Sequence, residues 1–387
     1  MKNDVVIAAI GQTEVGEHWD ISLRELAFYA IEKVRAEAPG LQPQAVYVGN
    51  MLAPALSRQS HLATLVTDFA GLQGIEAYSI EAAGASGGAA LRQGYLAVAS
   101  GTVDVALVLG AEKLTDQTDA NVQAAISTTT DSDYEAEHGL TQTAQAALLM
   151  HRYIHEFNVP REGFSGFPVI AHANGANNPN AMFHRAIKPE TYARAGMVSE
   201  PLNMFDIAPL ADGAAAVILT NPKILPKGYP HTLVRIAGSS VVTDTLALHD
   251  RPDPLTFNAA RVSVQRTLKQ AKNELDNIDL FEVFDAFSIY SALSLEAAGF
   301  AERGQGWKLA EDSSLTLYGD LPITTFGGLK ARGNPGGATG LYQVVEAVLQ
   351  LRGQAGDNQV PNASKALVQA FGGPASTVAT HLLEKVV

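Results

Sequence analysis

The sequence predicts an α/β fold of five layers, α/β/α/β/α, made by duplicating one half. Two observations predict it. Strand-like apolar runs alternate with helix-like apolar stripes over short loops, the pattern of a layered α/β domain. A glycine-rich motif also occurs twice, each time opening a helix: Gly84-Ala85-Ser86-Gly87-Gly88-Ala89 and Gly333-Asn334-Pro335-Gly336-Gly337-Ala338. With Gly84 set on Gly333, the copies share glycines at three offsets and the alanine that follows. Glycine lets backbones approach closely, and a helix start presents unpaired N–H groups. The expected arrangement is therefore two buried, adjacent helices opened by Gly84 and Gly333, with a site between their ends.

In chain order, residues 5–11 read as a buried strand stopped by Gly11. Residues 23–38 form an amphipathic helix with Leu23, Leu26, Ala27, Ala30, Ile31 and Val34 on one stripe. A strand at 45–48, a helix at 60–69, a strand at 77–80, the first glycine-started helix at 85–99 and a strand at 103–110 complete the first run. The texture then changes. Residues 115–196 are polar and rich in Thr, Asn and His, with one helix at 142–157. Such a stretch reads as an insertion over the core face, where binding surfaces are often built.

Core texture returns at 211–219, and Asn221-Pro222 with Pro226-Lys227-Gly228 punctuates a boundary. The second half repeats the first in outline: strand 232–236, helix 259–271, strand 280–283, helix 288–298, glycine-started helix 336–352, then segments 366–370 and 376–383. The expected division is residues 1–114 with 197–226 as the N-terminal half, 115–196 as the inserted loop domain, and 227–387 as the C-terminal half.

Composition narrows the function. At 387 residues, 47% hydrophobic and 17% charged, the chain is globular and long enough for two halves. A net charge of −13 argues against nucleic acid and anionic membranes as partners, while local basic residues can still hold an anion. There is no cysteine, which removes disulfides, thiolate zinc sites and thiol nucleophiles together. Met1-Lys2-Asn3-Asp4-Val5 runs into a strand without a signal-peptide pattern, and no run of 18 apolar residues exists, so a cytoplasmic location is expected.

Several residues could carry chemistry. Gly84-Ala85-Ser86-Gly87-Gly88 fits the G-x-S-x-G elbow between strand and helix, which would make Ser86 a nucleophile served by His381. His151 and His155 stand four apart on a helix, but no third ligand accompanies them and no metal is expected. His172 lies in the inserted segment and could face a substrate. Asp285 suits a helix start, and Tyr290 one turn later either reaches the same site as a weak acid or, like most helix tyrosines, is a packing residue. Lys330 and Arg332 precede the second glycine motif and either meet an anion or occupy a solvated loop.

Read together, the motifs resemble the thiolase superfamily over essentially the whole chain. They are Ile10-Gly11-Gln12-Thr13, Ala83-Gly84-Ala85-Ser86-Gly87, Asp212-Gly213-Ala214-Ala215-Ala216, Phe284-Asp285-Ala286-Phe287, Gly327-Gly328-Leu329-Lys330-Ala331-Arg332-Gly333-Asn334-Pro335 with Gly337-Ala338-Thr339-Gly340, and Gly372-Gly373. The tone is closest to bacterial and archaeal sterol-carrier-type thiolases, acetyl-CoA acetyltransferases that move acyl groups to and from coenzyme A. The resemblance implies the duplicated thiolase fold, a homodimer formed through the strand at 77–80, a coenzyme A thioester as ligand with no separate cofactor, and a role in lipid metabolism. It also implies backbone oxyanion donors at Gly84 and Gly372, and it makes Ser86 a helix-start residue without nucleophilic duty.

The departures from the family decide the expectation. The family's nucleophilic cysteine falls on Gly84, its histidine before the Asp-x-Phe motif on Phe284, and its second histidine on Asn334. Its acid/base cysteine falls on Ala286 or Ala370. Thiolase chemistry needs a thiolate to hold the acyl group, an imidazole to activate it and a base for the proton beside the thioester carbonyl. The implied function is acyl-CoA binding without thiolase activity. One alternative is retro-aldol or other C–C bond chemistry on the same fold with an OB-fold partner. Another is a non-catalytic scaffold subunit beside an intact thiolase or a zinc-ribbon/OB-fold protein.

Overall fold

The computed structural model describes residues 4–386; Met1 to Asn3, part of the stretch read as lacking a leader, and Val387 lie outside them. Its strands are β1 (Val6–Gln12), β2 (Ala45–Gly49), β3 (Glu76–Ile80), β4 (Val105–Glu112), β5 (Met197–Ser199), β6 (Leu202–Asn203), β7 (Gly213–Thr220), β8 (Val234–Thr243), β9 (Leu280–Glu282), β10 (Lys365–Gly372) and β11 (Thr377–Lys385). Its helices are α1 (Leu23–Glu37), α2 (Ala53–Leu56), α3 (Leu62–Phe69), α4 (Ser86–Ser100), α5 (Asp119–Ser127), α6 (Gln142–Phe157), α7 (Gly166–Gly175), α8 (Pro189–Ala193), α9 (Asn258–Ala271), α10 (Ser288–Ala298) and α11 (Thr339–Arg352).

Nine strands hydrogen-bond in the order β3-β2-β4-β7-β1-β8-β11-β10-β9. The two halves meet at β1 and β8, where only Val6↔Arg235 and Ile7↔Val234 pair. The alternation of strand side chains shows the layering. On β7, Ala214, Ala216 and Ile218 pack outward with α1 and α3. Ala215, Val217 and Leu219 pack inward with residues of α4 and α11. In the second half, Leu367, Phe371, Val378 and Leu382 pack with α9 and α10. Helix, one half of the sheet, paired central helices, the other half of the sheet and helix make the five layers of an α/β/α/β/α sandwich.

Local chemistry explains the elements. Ser22 and Glu25 form a reciprocal capping box at the start of α1, and the buried stripe of α1 is the one its spacing predicts. The central helices meet through their glycines. A Cβ on Gly87 would stand 2.9 Å from the carbonyl oxygen of Gly337, and one on Gly340 would stand 2.6 Å from the amide nitrogen of Gly88. Only glycine permits this approach.

The structure corrects the register of the repeat. A 3₁₀ turn at Ala83–Ala85 leads into α4 at Ser86, and a 3₁₀ turn at Gly336–Ala338 leads into α11 at Thr339. Gly84-Ala85-Ser86-Gly87 therefore corresponds to Gly337-Ala338-Thr339-Gly340, one helical turn beyond the alignment on Gly333. Gly333 opens no helix; it holds a φ of +108° in the loop before. Glycine spacing alone favoured the wrong copy because both stretches are glycine-rich, and the packing of backbone on backbone selects between them.

The inserted stretch is also more helical than its polarity suggests, with α5, α7 and α8 beside the expected α6. Helix α7 buries Phe167, Ile170, Ala171, His172 and Asn174. Its glycines and asparagine disguise it in the sequence, and tertiary packing rather than propensity sustains it. Strand β8 runs to Thr243, beyond the expected strand at 232–236. Among the described residues no helix is long and apolar enough to cross a membrane.

Candidate active site

Three chain segments carry residues to the N-terminal ends of α4 and α11. Gly84 sits in the turn before α4, where Ser86 Oγ donates to the Ala83 carbonyl at 2.6 Å and accepts from the Ala82 N–H at 2.9 Å. The loop between β9 and α10 brings Phe284, Ala286 and Phe287, and the first turn of α10 brings Tyr290. The loop before α11 brings Asn334, whose Oδ1 accepts from Thr339 Oγ1 at 3.0 Å. These residues border one small cavity of about 70 Å³, with Phe371 and Gly373 at its wall.

Of the five positions at which the resemblance expects family side chains, four converge: Gly84, Phe284, Ala286 and Asn334. Ala370 does not border the cavity. It lies beneath, where a Cβ on Gly340 would stand 3.2 Å and one on Gly88 3.6 Å from its methyl group. The two positions expected to supply backbone oxyanion donors are also divided. Gly84 borders the central cavity, while Gly372 borders a neighbouring one of about 320 Å³ with Ala82 and Ala83.

Aromatic rings occupy the space around Gly84. Phe284 and Phe371 lie 5.5 Å apart between ring centroids, and Phe371 in turn meets Phe257 edge-on at 5.6 Å. Tyr290 packs edge-on against Phe287 at 5.0 Å. The Tyr290 hydroxyl is buried and has no hydrogen-bond partner. Burial pushes its phenol up, against the pull of the Arg251 charge. Its proton is committed to no protein acceptor.

Ser86 and His381 form no catalytic pair. Ser86 Oγ is spent on the helix start. His381 is held between Ser239 Oγ and the Gly88 carbonyl, each at 3.0 Å, and burial pushes its imidazole down to about 3. His151 and His155 are both exposed on α6, and among the described residues no group of three potential ligands gathers around them.

Asp285 does not cap its own helix. Its carboxylate accepts from the Leu329 N–H at 2.7 Å and the Lys330 N–H at 3.4 Å, which fixes the turn Gly328–Arg332. Burial raises its pKa while Lys330 lowers it. That turn is not a solvated loop. Arg332 is fully buried and paired with Glu346 at 2.6 Å. Lys330 is 1% exposed, and its Nζ donates to the Asp206 carbonyl at 2.7 Å.

Lys330 and His172 border a second, larger cavity of about 710 Å³, which shares Ile207 and Ala208 with the central one. The His172 ring stacks on Phe183 at 5.8 Å, and its Nδ1 has no partner. Burial lowers its pKa, an Arg185 backbone hydrogen bond opposes this, and the Lys330 charge adds to the lowering.

Two buried carboxyls were not singled out in the sequence. Glu112 accepts from the N–H groups of Met51, Leu52 and Gly337 at 2.7, 3.1 and 3.1 Å, tying β4 to the second glycine motif. Burial pushes it up to about 7 against those hydrogen bonds. Glu282 accepts from the Thr325 N–H at 3.1 Å, and burial together with the Glu346 charge pushes it up to about 8. The available signal was an acidic residue ending each apolar strand.

Family models match the chain in two parts: "Thiolase, N-terminal domain" over residues 5–223 and "Thiolase C-terminal domain-like" over residues 240–385. An acetyl-CoA acetyltransferase of Methanothermobacter thermautotrophicus is 40% identical over 386 residues, 99% of this chain and 100% of that protein. An acetyl-CoA acetyltransferase of Methanocaldococcus jannaschii is 36% identical, covering 98% of each. Among solved structures, the chain described as "Ltp2-ChsH2(DUF35) aldolase" superposes with a TM-score of 0.84 at 24% identity, covering 99% of this chain and 98% of that one.

Proposed function

Because the chain belongs to the thiolase family, we propose that it binds acyl-coenzyme A thioesters without carrying out thiolysis or Claisen condensation. The observation that supports this reading is the central cavity, where Gly84, Phe284 and Asn334 stand together. None of the three offers a nucleophile, an imidazole or a base, and removing a nucleophile costs orders of magnitude in rate even where binding survives. Calorimetry with octanoyl-CoA should detect binding. Intact-mass measurement after incubation with acetyl-CoA should find no acyl adduct, and acetoacetyl-CoA should not be thiolysed. Robust thiolysis by a preparation free of host thiolase would overturn the reading, and a chain that binds no thioester would be a scaffold instead.

A second reading, carbon–carbon bond cleavage of a β-hydroxyacyl thioester, has one specific observation in its favour. The Tyr290 hydroxyl at the central cavity is buried and unpartnered, so a substrate alkoxide or hydroxyl could be its acceptor. Retro-aldol activity in a substrate screen, with and without an OB-fold partner, separates this reading from the first. Under both readings the working form is a homodimer. Strand β3 ends the sheet, and Tyr78 on it is 54% exposed, so an unpaired edge is available to a second copy. Light scattering at micromolar concentration should give twice the chain mass.

A further inference from the structure

The larger cavity departs from the charge of the molecule that holds it. The chain carries a net charge of −13, yet no aspartate or glutamate borders this cavity. Arg185, Lys188, Lys330 and His172 do. The cations are arranged by depth. Arg185 and Lys188 are exposed, whereas Lys330 is 1% exposed. Between them the wall is apolar, formed by Phe183, Ile187, Val198, Met204 and Phe205.

Lys330 makes no ion pair within 4.0 Å among the described residues, and one protein acceptor, the Asp206 carbonyl, takes one of its three donor protons. The carboxylate of Asp206 is occupied elsewhere, by the Tyr192 hydroxyl at 3.0 Å and the Asn203 N–H at 2.9 Å. Burial pushes the Lys330 ammonium down to about 8, so it keeps its proton at pH 7. The Asp285 and Asp206 carboxylates offset part of this burial, but neither comes within 4.0 Å of Nζ, and an anionic ligand group in direct contact would relieve the remaining cost.

We infer that this cavity receives a carboxylate at the end of an aliphatic chain, with Lys330 as its counter-ion. The apolar wall holds the chain, and the exposed Arg185 and Lys188 draw the anion in. Since Ile207 and Ala208 border both cavities, the chain can run from the central site into this one. The substrate class is then an acyl thioester whose acyl group ends in a second carboxylate. That last step rests on the acyl-thioester reading above; the carboxylate site itself does not.

Calorimetry with octanoate and 1-octanol tests the site without coenzyme A. Octanoate should bind at least tenfold more tightly than the alcohol, and Lys330→Met should bring the two within about twofold. Should Lys330→Met fail to fold, Val198→Glu, at a 60% exposed wall position, places a carboxylate in the cavity. It should weaken octanoate at least tenfold and leave octanol unchanged. Equal affinities in the unmodified protein, a preference that survives Lys330→Met, or indifference to Val198→Glu would each overturn the inference. So would competition by free coenzyme A whose affinity depends on Lys330, since the recognised anion would then be phosphate. Comparing suberoyl-CoA with octanoyl-CoA tests the substrate class, with tighter binding expected for the dicarboxylic ester and equal binding overturning it. If neither ester binds while octanoate does, the acyl-CoA reading fails and the carboxylate site stands.

Discussion

Gly84 faces the carbonyl oxygen of Phe371: a Cβ built on the glycine would stand 2.5 Å from that oxygen and 3.1 Å from the ring tip of Phe284. The position at which the resemblance expects the family's nucleophile is therefore closed to any side chain unless strand β10 moves. Returning the thiol by Gly84→Cys is then no simple restoration, although a thiolate at a helix start would be chemically apt. The variant should be destabilised by about 1–3 kcal/mol in denaturant melts, as for an overpacked site. It should form no acetyl adduct in intact-mass spectra after acetyl-CoA. Adding Phe284→His and Asn334→His frees the ring contact but not the carbonyl, so the triple variant should also stay without thiolysis.

The Arg332–Glu346 pair, 2.6 Å apart with side chains 0% and 1% exposed, holds the Gly328–Arg332 turn against α11. Removing one partner leaves a charge buried alone. Arg332→Met should cost about 3–5 kcal/mol in urea unfolding. The double variant Arg332→Met with Glu346→Leu should recover most of that loss, because no bare charge remains. A double variant as unstable as the single one would show that the pair acts through geometry rather than charge.

Stability should fall between pH 5 and pH 8. Glu112 and Glu282 keep their protons up to about 7 and about 8 in the folded chain, against 4.5 as the ordinary value. Their folded pKa values lie above the unfolded ones, so the native state binds more protons across that window. Their stabilising effect is complete below about 4.5 and is lost as pH rises through 7 to 8. Lys330, pushed down to about 8, acts only above that pH. Glu282→Gln keeps an acceptor for Thr325 and cannot titrate. Thermal melts should therefore show a Tm drop from pH 5 to pH 8 that is smaller in Glu282→Gln by about 5 °C.

Tyr290→Phe separates structure from chemistry. Its hydroxyl has no partner, so deleting it breaks no hydrogen bond and relieves a buried polar group. The variant should melt within about 1 °C of the parent or slightly above it. Any C–C cleavage activity that uses the phenol should nonetheless fall by about 100-fold or more. Loss of activity together with a large loss of stability would mean that the hydroxyl is structural.

The sequence by itself determined the layered α/β class, the duplication and the family, because these rest on periodicity and on motifs a few residues long. It also determined that the chain has no thiol, by residue identity and whatever the fold. It located Phe284, Asn334 and Ala286 near Gly84, and it marked His172 and Lys330 without showing what they share.

Only the tertiary structure decided which glycine of the second motif answers Gly84, because Gly337 and Gly340 are chosen by the approach of α11 to α4. It alone joined Glu112 to Gly337, 225 positions apart, and buried Arg332 against Glu346. It placed Ala370 outside the central cavity, turned Asp285 from a helix cap into a clamp on the Gly328–Arg332 turn, and set three cations around an apolar cavity of an acidic protein. A residue's burial, and so its charge and its reach, depends on what packs over it from distant parts of the chain. That information is not local, and no window of sequence contains it.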